Sequence, residues 1–367
     1  MFGAKKNFGF GCMRMQMNGN EVDHAEFTRM VDAFMEAGFN YFDTAHVYIG
    51  GQSETALKAC LTSRYPRESY VLTNKLSSGN FNSQEEIRPL LDLQLDACGV
   101  EYFDFWLMHA LSGESFNKYK ACRAFETALE LKAEGKIKHL GISFHDKAEV
   151  LRQILTEYPQ IEAVQIQFNY VDMDDENIES RKCYEVCREF GKPVIVMEPV
   201  KGGALVNLPE EADEVLKNLE GGSNASYAIR FAAGFEGVFM VLSGMGNMAM
   251  MEDNLSFMKD FKPLEDRELE AINKICDVLK KQDTIPCTDC RYCVEGCPVN
   301  ISIPQLFGIY NNKKQLKGYF SNWDYDKIVR DKGRPSDCIE CGACESACPQ
   351  HLEIRELLKN VKAEFEG

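Results

Sequence analysis

The sequence of 367 residues predicts a fold of the α/β class, a (β/α)8 TIM barrel followed by a small α-helical and loop region rich in cysteine. Three observations predict this fold. Short apolar runs, eight in all, alternate with amphipathic stretches along the N-terminal part of the chain. That part has roughly the length of a typical eight-stranded α/β barrel, about 250 residues. The C-terminal part instead contains one cysteine pattern that occurs twice.

The eight apolar runs have the length and composition of buried strands, and they cover residues 8–15, 40–45, 70–76, 103–110, 139–144, 163–169, 193–199 and 238–244. The stretches between them, such as residues 23–38 and 114–135, have the apolar spacing of helices. Helix ends favour a left-handed residue, and glycines stand at such ends at Gly38, Gly99, Gly135 and Gly191. Alternating strands and helices predict a parallel sheet, and eight units predict its closure into a barrel. Active residues are then expected at the C-terminal ends of the strands.

The predicted domain boundaries follow the change in pattern. Residues 1–262 are expected to form the barrel, residues 263–284 a linking helix, and residues 285–367 a cysteine-rich domain. Two further stretches of this last domain, residues 301–312 and 351–365, have helical spacing. We expect these helices to pack around the cysteines.

Two cysteine runs share the spacing C-x2-C-x2-C-x3-C-P, Cys287, Cys290, Cys293 and Cys297 in the first and Cys338, Cys341, Cys344 and Cys348 in the second. This is the bacterial ferredoxin pattern, in which each 4Fe-4S cubane takes three thiolates from one run and the fourth from the other. The resulting ligand sets are Cys287, Cys290, Cys293 and Cys348 for one cluster and Cys338, Cys341, Cys344 and Cys297 for the other. Zinc and disulfides explain the pattern less well, because zinc does not need the third cysteine or the proline and disulfides need an oxidising compartment.

Composition and charge limit the classes of partner. The net charge is −16 and no basic cluster occurs, so nucleic acid is not expected as a partner. The N-terminal residues lack an apolar signal stretch, and no apolar run reaches the roughly eighteen residues of a membrane span. The other cysteines are scattered, which is typical of a reducing cytoplasm. The cluster pattern also indicates an organism that lives anaerobically.

Polar residues of four kinds stand at or just beyond predicted strand ends. Asp43 ends NYFDTA, Tyr48 follows in the next loop, Lys75 ends YVLTNKL and His109 ends FDFWLMHA. With GFNYFDTAHVYIGGQSE, the NK pair and LMHA, the sequence resembles the aldo-keto reductase family over about residues 8–258. The cysteine runs after it resemble the subgroup of that family with a C-terminal two-cluster ferredoxin-type domain. This resemblance implies an oxidoreductase of EC class 1 that uses NAD(H) or NADP(H).

Carbonyl reduction explains why these four residue types occur together. Hydride transfer leaves an alkoxide that must be protonated, and we assign Tyr48 as the acid. Lys75 is expected to lower the pKa of that phenol, and Asp43 to keep the lysine charged and in place. A neutral His109 would donate a hydrogen bond to the carbonyl oxygen as charge builds there. Taken singly, Asp43 could be a helix cap and His109 a buried structural histidine.

The resemblance also implies positions that bind the nicotinamide nucleotide. Ser143 and Gln165 match the residues that hold the carboxamide, although Phe144 stands where most members have asparagine. Met197 occupies the position of the aromatic ring that stacks on the nicotinamide. The implied pyrophosphate positions are Lys201, Gly202 and Gly203. The implied adenosine positions are Ser243, Gly244, Asn247, Asp253 and Asn254.

The best-supported function is an oxidoreductase that interconverts a carbonyl and an alcohol, with two 4Fe-4S clusters for electron transfer. Hydride carries two electrons and a cluster passes one. A flavin would join the two, yet the sequence has no flavin motif. One interpretation is therefore that the clusters serve an external redox partner such as a ferredoxin or flavodoxin, and another is that they are structural. Two alternatives stay open at this point. One is an electron-transfer or redox-sensing protein with a non-reducing barrel, and the other is a lyase or dehydratase that uses the same tetrad without redox chemistry.

We predict that NADH binds at least as tightly as NADPH. Gly244 and Met250 stand where many relatives place a Lys or Arg for the 2′-phosphate, and the nearest charges, Glu252 and Asp253, are acidic. A missing charged contact is worth about 1.5–3 kcal/mol, or roughly ten- to a hundredfold in affinity. Lys201 or another basic residue would reverse the preference if it reached the phosphate. Titration of both reduced nucleotides measures the ratio, and a tenfold preference for NADPH would contradict the prediction.

Overall fold

The structure is a computed structural model that describes residues 1–176, 178–219, 221–281, 284–285, 287, 291–316, 320–348 and 352–367. These residues divide into two compact units. The first comprises residues 1–199 and 225–265, and the second comprises residues 200–224 and 266–367. The second unit therefore includes a segment that the sequence analysis placed within the barrel. Among the described residues, no helix is long and apolar enough to cross a membrane.

The first unit is a closed barrel of eight parallel strands, as the sequence predicted. In chain order the strands are β1 (Phe8–Gly11), β4 (Tyr41–Asp43), β5 (Val71–Ser77), β6 (Phe103–Leu111), β7 (Ile137–Phe144), β8 (Ala163–Gln167), β9 (Val194–Met197) and β10 (Val238–Ser243). Pairing of β1 with both β4 and β10 closes the barrel. Between β1 and β4 lies a short antiparallel hairpin of β2 (Met17–Asn18) and β3 (Glu21–Val22). The run 8–15 is shorter than predicted because the chain leaves the sheet after Gly11.

Helices separate the barrel strands, and the first unit contains α1 (His24–Glu36), α2 (Gln52–Leu57), α3 (Ile87–Cys98), α4 (Gly113–Ala121), α5 (Ala124–Ala133), α6 (Ala148–Glu157), α7 (Ser180–Glu189), most of α9 (Asn224–Ala233) and α10 (Met248–Met258). Asp23 caps α1 by accepting a hydrogen bond from the Glu26 amide at 3.0 Å. Left-handed glycines end the predicted helices, with φ of 85°, 66°, 78° and 64° at Gly38, Gly99, Gly135 and Gly191. The prediction of helix-ending glycines is confirmed.

The helical pattern over residues 114–135 corresponds to two helices, α4 and α5. Between α4 and α5 the backbone of Arg123 is left-handed, with φ of 50°. Ser112 caps α4 by accepting a hydrogen bond from the Ser115 amide at 3.3 Å. A left-handed residue ends a helix, and neither glycine nor proline marks this break in the sequence.

Side chains that point into the barrel fill its lower end, the end opposite the C-termini of the strands. Tyr41, Phe105 and Leu107 are among the buried residues of this cluster. The ring of Phe2 packs edge-on against Phe105 with centroids 5.1 Å apart, and so closes the bottom of the barrel. The polar residues Asp43, Lys75 and His109 lie at the opposite end, near the C-termini of the strands, where the candidate site is.

The second unit is helical, and its described helices are α8 (Glu210–Lys217), α11 (Asp266–Lys280), α12 (Tyr292–Glu295), α13 (Ile303–Leu316), α14 (Phe320–Val329), α15 (Ala343–Ser346) and α16 (Ile354–Phe365). The predicted linking helix at 263–284 and the predicted helices at 301–312 and 351–365 correspond to α11, α13 and α16. α8 packs against α11. Ile301, Leu306, Phe307 and Val361 are buried in the core of this unit together with Cys293 and Cys344.

We predict that Gly141→Ala destabilises the barrel by about 1–3 kcal/mol, because the added methyl group overpacks the core. A Cβ at this position on β7 would lie 2.5 Å from Cδ2 of Leu107 and 2.9 Å from the carbonyl oxygen of Ala163. The backbone contact leaves the methyl group little room to shift. Gly79→Ala is the control, since a Cβ there meets no atom within 4 Å. Equal denaturation midpoints for the two variants would contradict this account of the packing.

Candidate active site

Three neighbouring strands carry the polar residues predicted to form the tetrad to one end of the barrel. Asp43 ends β4, while Lys75 and His109 lie near the ends of β5 and β6. Tyr48 begins a kinked turn over Tyr48–Gly51, whose central residues do not have helical backbone angles. Within this turn Ile49, Gly50 and Gly51 have φ of 51°, 62° and 90°. Positive φ is unusual for a β-branched residue such as Ile49, and it turns the chain sharply just after the tyrosine.

The ammonium group of Lys75 makes three hydrogen bonds within the site. Its Nζ donates to Oδ1 of Asp43 at 2.5 Å, to the carbonyl oxygen of Thr44 at 2.8 Å and to the hydroxyl of Tyr48 at 3.1 Å. An ammonium has three donors, so each one is used. The Lys75 side chain is fully buried. The structure thus brings Asp43, Lys75 and Tyr48 into direct contact.

The protonation of these groups follows from burial and from their mutual charges. Burial acts to lower the pKa of Lys75, but Asp43 and Tyr48 outweigh it, so the pKa of Lys75 is raised. Burial also raises the pKa of Asp43, with Lys75 acting in the opposite direction. Lys75 therefore stays charged and keeps Asp43 as its counter-ion.

The pKa of Tyr48 is not lowered below its ordinary value, although the sequence predicted that Lys75 would lower it. Burial raises the pKa of the phenol, and the nearby Lys75 only partly counters that effect. The reason is that the low-dielectric pocket disfavours the phenolate more than one ammonium favours it. Tyr48 is consequently protonated at neutral pH, as an acid that donates to an alkoxide must be.

His109 completes the group from β6. Its ring lies edge-on to that of Tyr48, with centroids 5.9 Å apart. Burial, together with the charge of Lys75, holds the pKa of His109 well below its ordinary value, so the imidazole is neutral. The hydroxyl of Ser77 lies 2.7 Å from Nδ1 of His109. The hydroxyl of the buried Tyr119 lies 2.5 Å from the carbonyl oxygen of Leu76 and 2.9 Å from that of His109, and so ties β5 to β6 beside the site.

Ser143 and Gln165, predicted to hold a nicotinamide carboxamide, are buried register partners on β7 and β8. Nε2 of Gln165 donates to Oδ2 of Asp43 at 3.3 Å, which places Gln165 beside the tetrad. Within the described part of the chain, the Gln165 carbonyl and the Ser143 hydroxyl have no hydrogen-bond partner. One acceptor and one hydroxyl on adjacent strands fit the two ends of a carboxamide.

Several positions that the family resemblance assigned to the adenosine end make hydrogen bonds within the protein. The hydroxyl of Ser243 donates to Oδ1 of Asn254 at 2.7 Å, and Nδ2 of Asn254 donates to Asp253 at 3.4 Å. Asn247 caps α10 by accepting from the Met250 amide at 3.0 Å. These bonds hold the loop after β10 against α10.

A basic side chain lies against this loop although the loop itself contains none. A Cβ built on Gly244 would lie 3.3 Å from Cδ of Arg14, which follows β1. Nη2 of Arg14 is 3.9 Å from Oε1 of Glu198, the residue after β9. Met197 beside it is half-buried. Arg14 adds a positive charge that the prediction of NADH preference did not include, and that prediction stays untested.

The three positions that the resemblance assigned to the pyrophosphate lie in the second unit, and they are Lys201, Gly202 and Gly203. They form a tight turn in which all three residues have positive φ, with 46° at Lys201 and 97° at Gly203. Lys201 lies close enough to Asp324 of α14 to lower the pKa of that carboxyl, although burial raises it on balance. The amide of Gly203 in this turn donates to the carbonyl oxygen of Val200 at 3.0 Å.

Four cysteines of the second unit line one cavity, and they are Cys297, Cys338, Cys341 and Cys344. They are the set that the crossed pattern assigns to one cluster. The amide of Ile301 donates to Sγ of Cys297 at 3.4 Å. No three Cys, His, Asp or Glu side chains in the described ranges converge closely enough to hold a single metal ion. Thiols spread around a cavity fit a cluster, in which each iron takes one thiolate.

The other cluster set is described only in part. Cys293 is buried, and Cys287 and Cys348 are half-buried against the same apolar core. Cys290 lies outside the described residues. The structure therefore places three of these four cysteines in one unit without describing the complete set.

Comparison with known proteins agrees with both halves of the chain. Residues 7–277 match the Aldo/keto reductase family, and residues 286–352 match the 4Fe-4S dicluster domain. The chain therefore belongs to the aldo/keto reductase family of oxidoreductases, and it carries a C-terminal 4Fe-4S dicluster domain.

Individual relatives resemble the barrel. An aldo-keto reductase of Schizosaccharomyces pombe, named for NADP(+), is 25% identical over 221 residues, which cover 56% of this chain and 61% of that protein. The structure of a Klebsiella pneumoniae aldo-keto reductase in complex with NADPH is similar with a TM-score of 0.61 and 17% identity, covering 73% of this chain and 90% of that one.

The holo form of a Bacillus halodurans aldo-keto reductase is similar with a TM-score of 0.58 and 23% identity, covering 74% of this chain and 95% of that one. At such identities the structures establish the fold. The chain spans 55–66% of the length of the first curated relatives that it matches.

Three residues that shape the site were not predicted from the sequence. The carbonyl of Thr44 accepts from Lys75, and a backbone acceptor leaves no signature in a sequence. Ser77 and Tyr119 were also missed. Ser77 could have been found, since it is two residues after Lys75 on the same strand and therefore points to the same face of the sheet.

We predict a flat pH profile for carbonyl reduction between about pH 7 and pH 9. The acid Tyr48 loses its proton only as pH rises through a pKa above the ordinary value of about 10, and His109 is protonated only below about 6.5. Both groups are thus in the required state throughout this window. The measurement is kcat/KM for a carbonyl substrate at saturating reduced nucleotide. A fall in rate centred between pH 7 and pH 8 would contradict the assigned protonation states.

Proposed function

We propose that the chain reduces and oxidises a small carbonyl/alcohol pair with NAD(H) or NADP(H), while its second unit holds two 4Fe-4S clusters that exchange electrons with a partner protein. The observation that carries the first part is the buried Lys75, bonded at once to Asp43, Thr44 and Tyr48. This arrangement gives a phenol that is protonated, fixed in place and adjacent to a cation.

The residues of the barrel divide the work of reduction. A bound nicotinamide supplies or accepts the hydride, and Ser143 and Gln165 would hold its carboxamide. Nε2 of a neutral His109 donates to the carbonyl oxygen and orients it toward Tyr48. The Tyr48 hydroxyl gives its proton to the oxygen as negative charge develops there. Lys75 then stabilises the phenolate that is left, and Asp43 keeps Lys75 in position.

The proposal for the second unit rests on the cysteine cavity and on the doubled sequence run. Cys297, Cys338, Cys341 and Cys344 would ligate one cluster, and Cys287, Cys290, Cys293 and Cys348 the other. A nicotinamide moves two electrons as hydride and each cluster passes one, so direct exchange between them needs a further centre such as a flavin. The sequence has no flavin motif. We therefore propose a one-electron carrier such as a ferredoxin or flavodoxin as the partner of the clusters.

Tyr48→Phe is expected to reduce the turnover rate for carbonyl reduction by a factor of about a hundred to ten thousand, the usual effect of losing a general acid. Nucleotide binding should change little, because the hydroxyl acts mainly in the transition state. The measurement is nucleotide oxidation against a panel of aldehydes and ketones, with nucleotide titration beside it. Tyr65→Phe is the control, since Tyr65 donates to Asp32, away from the tetrad.

Near-normal turnover in Tyr48→Phe would show that the barrel uses other chemistry. An unmodified protein that turns over none of the carbonyls would favour a non-reducing barrel, whereas elimination without nucleotide would favour a lyase.

The intact protein is expected to contain about eight irons per chain, from two cubanes.

Cys297→Ser should perturb the cluster held by Cys338, Cys341 and Cys344 and leave the other cluster in place, because the fourth ligand of each run crosses over. Anaerobic iron and sulfide analysis with electron paramagnetic resonance measures both effects. Cys276→Ser is the matched control, a thiol of the same unit outside both runs. Four irons or stoichiometric zinc in the unmodified protein would refute the two-cluster assignment, and loss of the other cluster would refute the crossed ligation.

A further inference from the structure

The hydroxyl of Ser77 makes one hydrogen bond that bears directly on the proposed reaction. Ser77 and His109 are register partners on β5 and β6, and Oγ of Ser77 lies 2.7 Å from Nδ1 of His109. Ser77 is 8% exposed, so this contact lies in a largely water-excluded place. The serine makes no hydrogen bond to Tyr48 or Lys75 in the described structure, and its hydrogen bond to the tetrad is the one to the histidine.

The direction of this hydrogen bond follows from the partners that are present. A hydroxyl has one proton to donate, and a buried donor without an acceptor destabilises the folded protein. Among the residues that the structure describes, Nδ1 of His109 is the sole hydrogen-bond partner of the Ser77 hydroxyl. If Nδ1 were protonated, the two donors would face each other or the serine proton would have no acceptor. The satisfied arrangement has Ser77 donating to an unprotonated Nδ1.

The tautomer of His109 is then determined. A neutral imidazole carries its proton on one nitrogen, and the hydrogen bond at the other nitrogen selects which one. With Nδ1 as acceptor, the proton resides on Nε2. Within the described residues Nε2 has no hydrogen-bond partner, so it is free for a ligand. An Nε2–H donor is what a developing oxyanion requires, whereas an Nε2 lone pair would repel it.

We propose that Ser77 is a positioning residue that fixes His109 in its Nε2–H tautomer and thereby orients the substrate carbonyl. This inference rests on the proposed carbonyl reduction for its catalytic consequence, and on the Ser77–His109 geometry for the tautomer itself. Tyr119 fixes the backbone of His109 through two hydrogen bonds, so the ring is left to turn about its side-chain bonds unless Ser77 holds it.

The test compares Ser77→Ala, Ser77→Thr and the unmodified protein. Ser77→Ala is expected to lower kcat about tenfold, less than the roughly hundred- to thousandfold effect of removing an oxyanion donor outright. Nucleotide affinity should stay the same. Ser77→Thr keeps the hydroxyl and should restore most of the rate. Ser180→Ala is the control, because that buried serine donates to the carbonyl of Gln167 and does not contact the tetrad.

A second measurement reads the tautomer without turnover. Nitrogen-15 chemical shifts of labelled histidine, with the His109 signal assigned by its loss in His109→Asn, should show Nε2–H in the unmodified protein and a tautomer mixture in Ser77→Ala. Unchanged tautomers in Ser77→Ala, or no rescue of rate by threonine, would overturn the inference. If the unmodified protein reduces no carbonyl yet the tautomer shifts as expected, the proposed function fails while the role of Ser77 toward His109 stands.

Discussion

The candidate site depends on one buried cation. Transfer of an ammonium from water into a protein interior costs several kcal/mol, and it is offset only when good partners surround the charge. Lys75 has three such partners, a carboxylate, a carbonyl and a phenol, each within 3.1 Å. These partners come from β4 and from the chain just after it, while the lysine comes from β5. The direct pairing of β4 with β5 is therefore what brings the charge and its partners together.

The same strand carries polar residues on its other face, and these hold β5 from outside. Nδ2 of Asn74 donates to the buried Glu54 of α2 at 2.7 Å. Gln94 of α3 donates to the carbonyl oxygen of Lys75 at 2.8 Å and accepts from the indole of Trp106 at 2.9 Å. Because adjacent residues of a strand point to opposite faces, Lys75 is fixed inside the barrel and its backbone is fixed from the helical layer. Loss of either set of contacts would move the ammonium relative to Tyr48.

Periodicity and residue type predicted much of this arrangement. The eight strands were found because buried parallel strands form apolar runs, and the gathering of Asp43, Lys75 and His109 follows from strand order alone. The break at Arg123 was not predictable, since its left-handed backbone is marked by neither glycine nor proline in the sequence. The raised pKa of Tyr48 was also not predictable, because it results from the competition between burial and the charge of Lys75, and burial is a property of the folded chain. The backbone acceptor at Thr44 is invisible for the same reason.

Each of the two units is formed from two separate segments of the sequence. The chain leaves the first unit after residue 199, returns at residue 225 and leaves again after residue 265. A shortened protein that ends at residue 265 would keep α8 but lose α11, against which α8 packs. Ala212 and Leu216, which are buried in the intact protein, would then lose part of their cover. The iron-sulfur half is thus joined to the reductase half by an inserted segment as well as by a C-terminal extension, so excision at one point cannot separate the two.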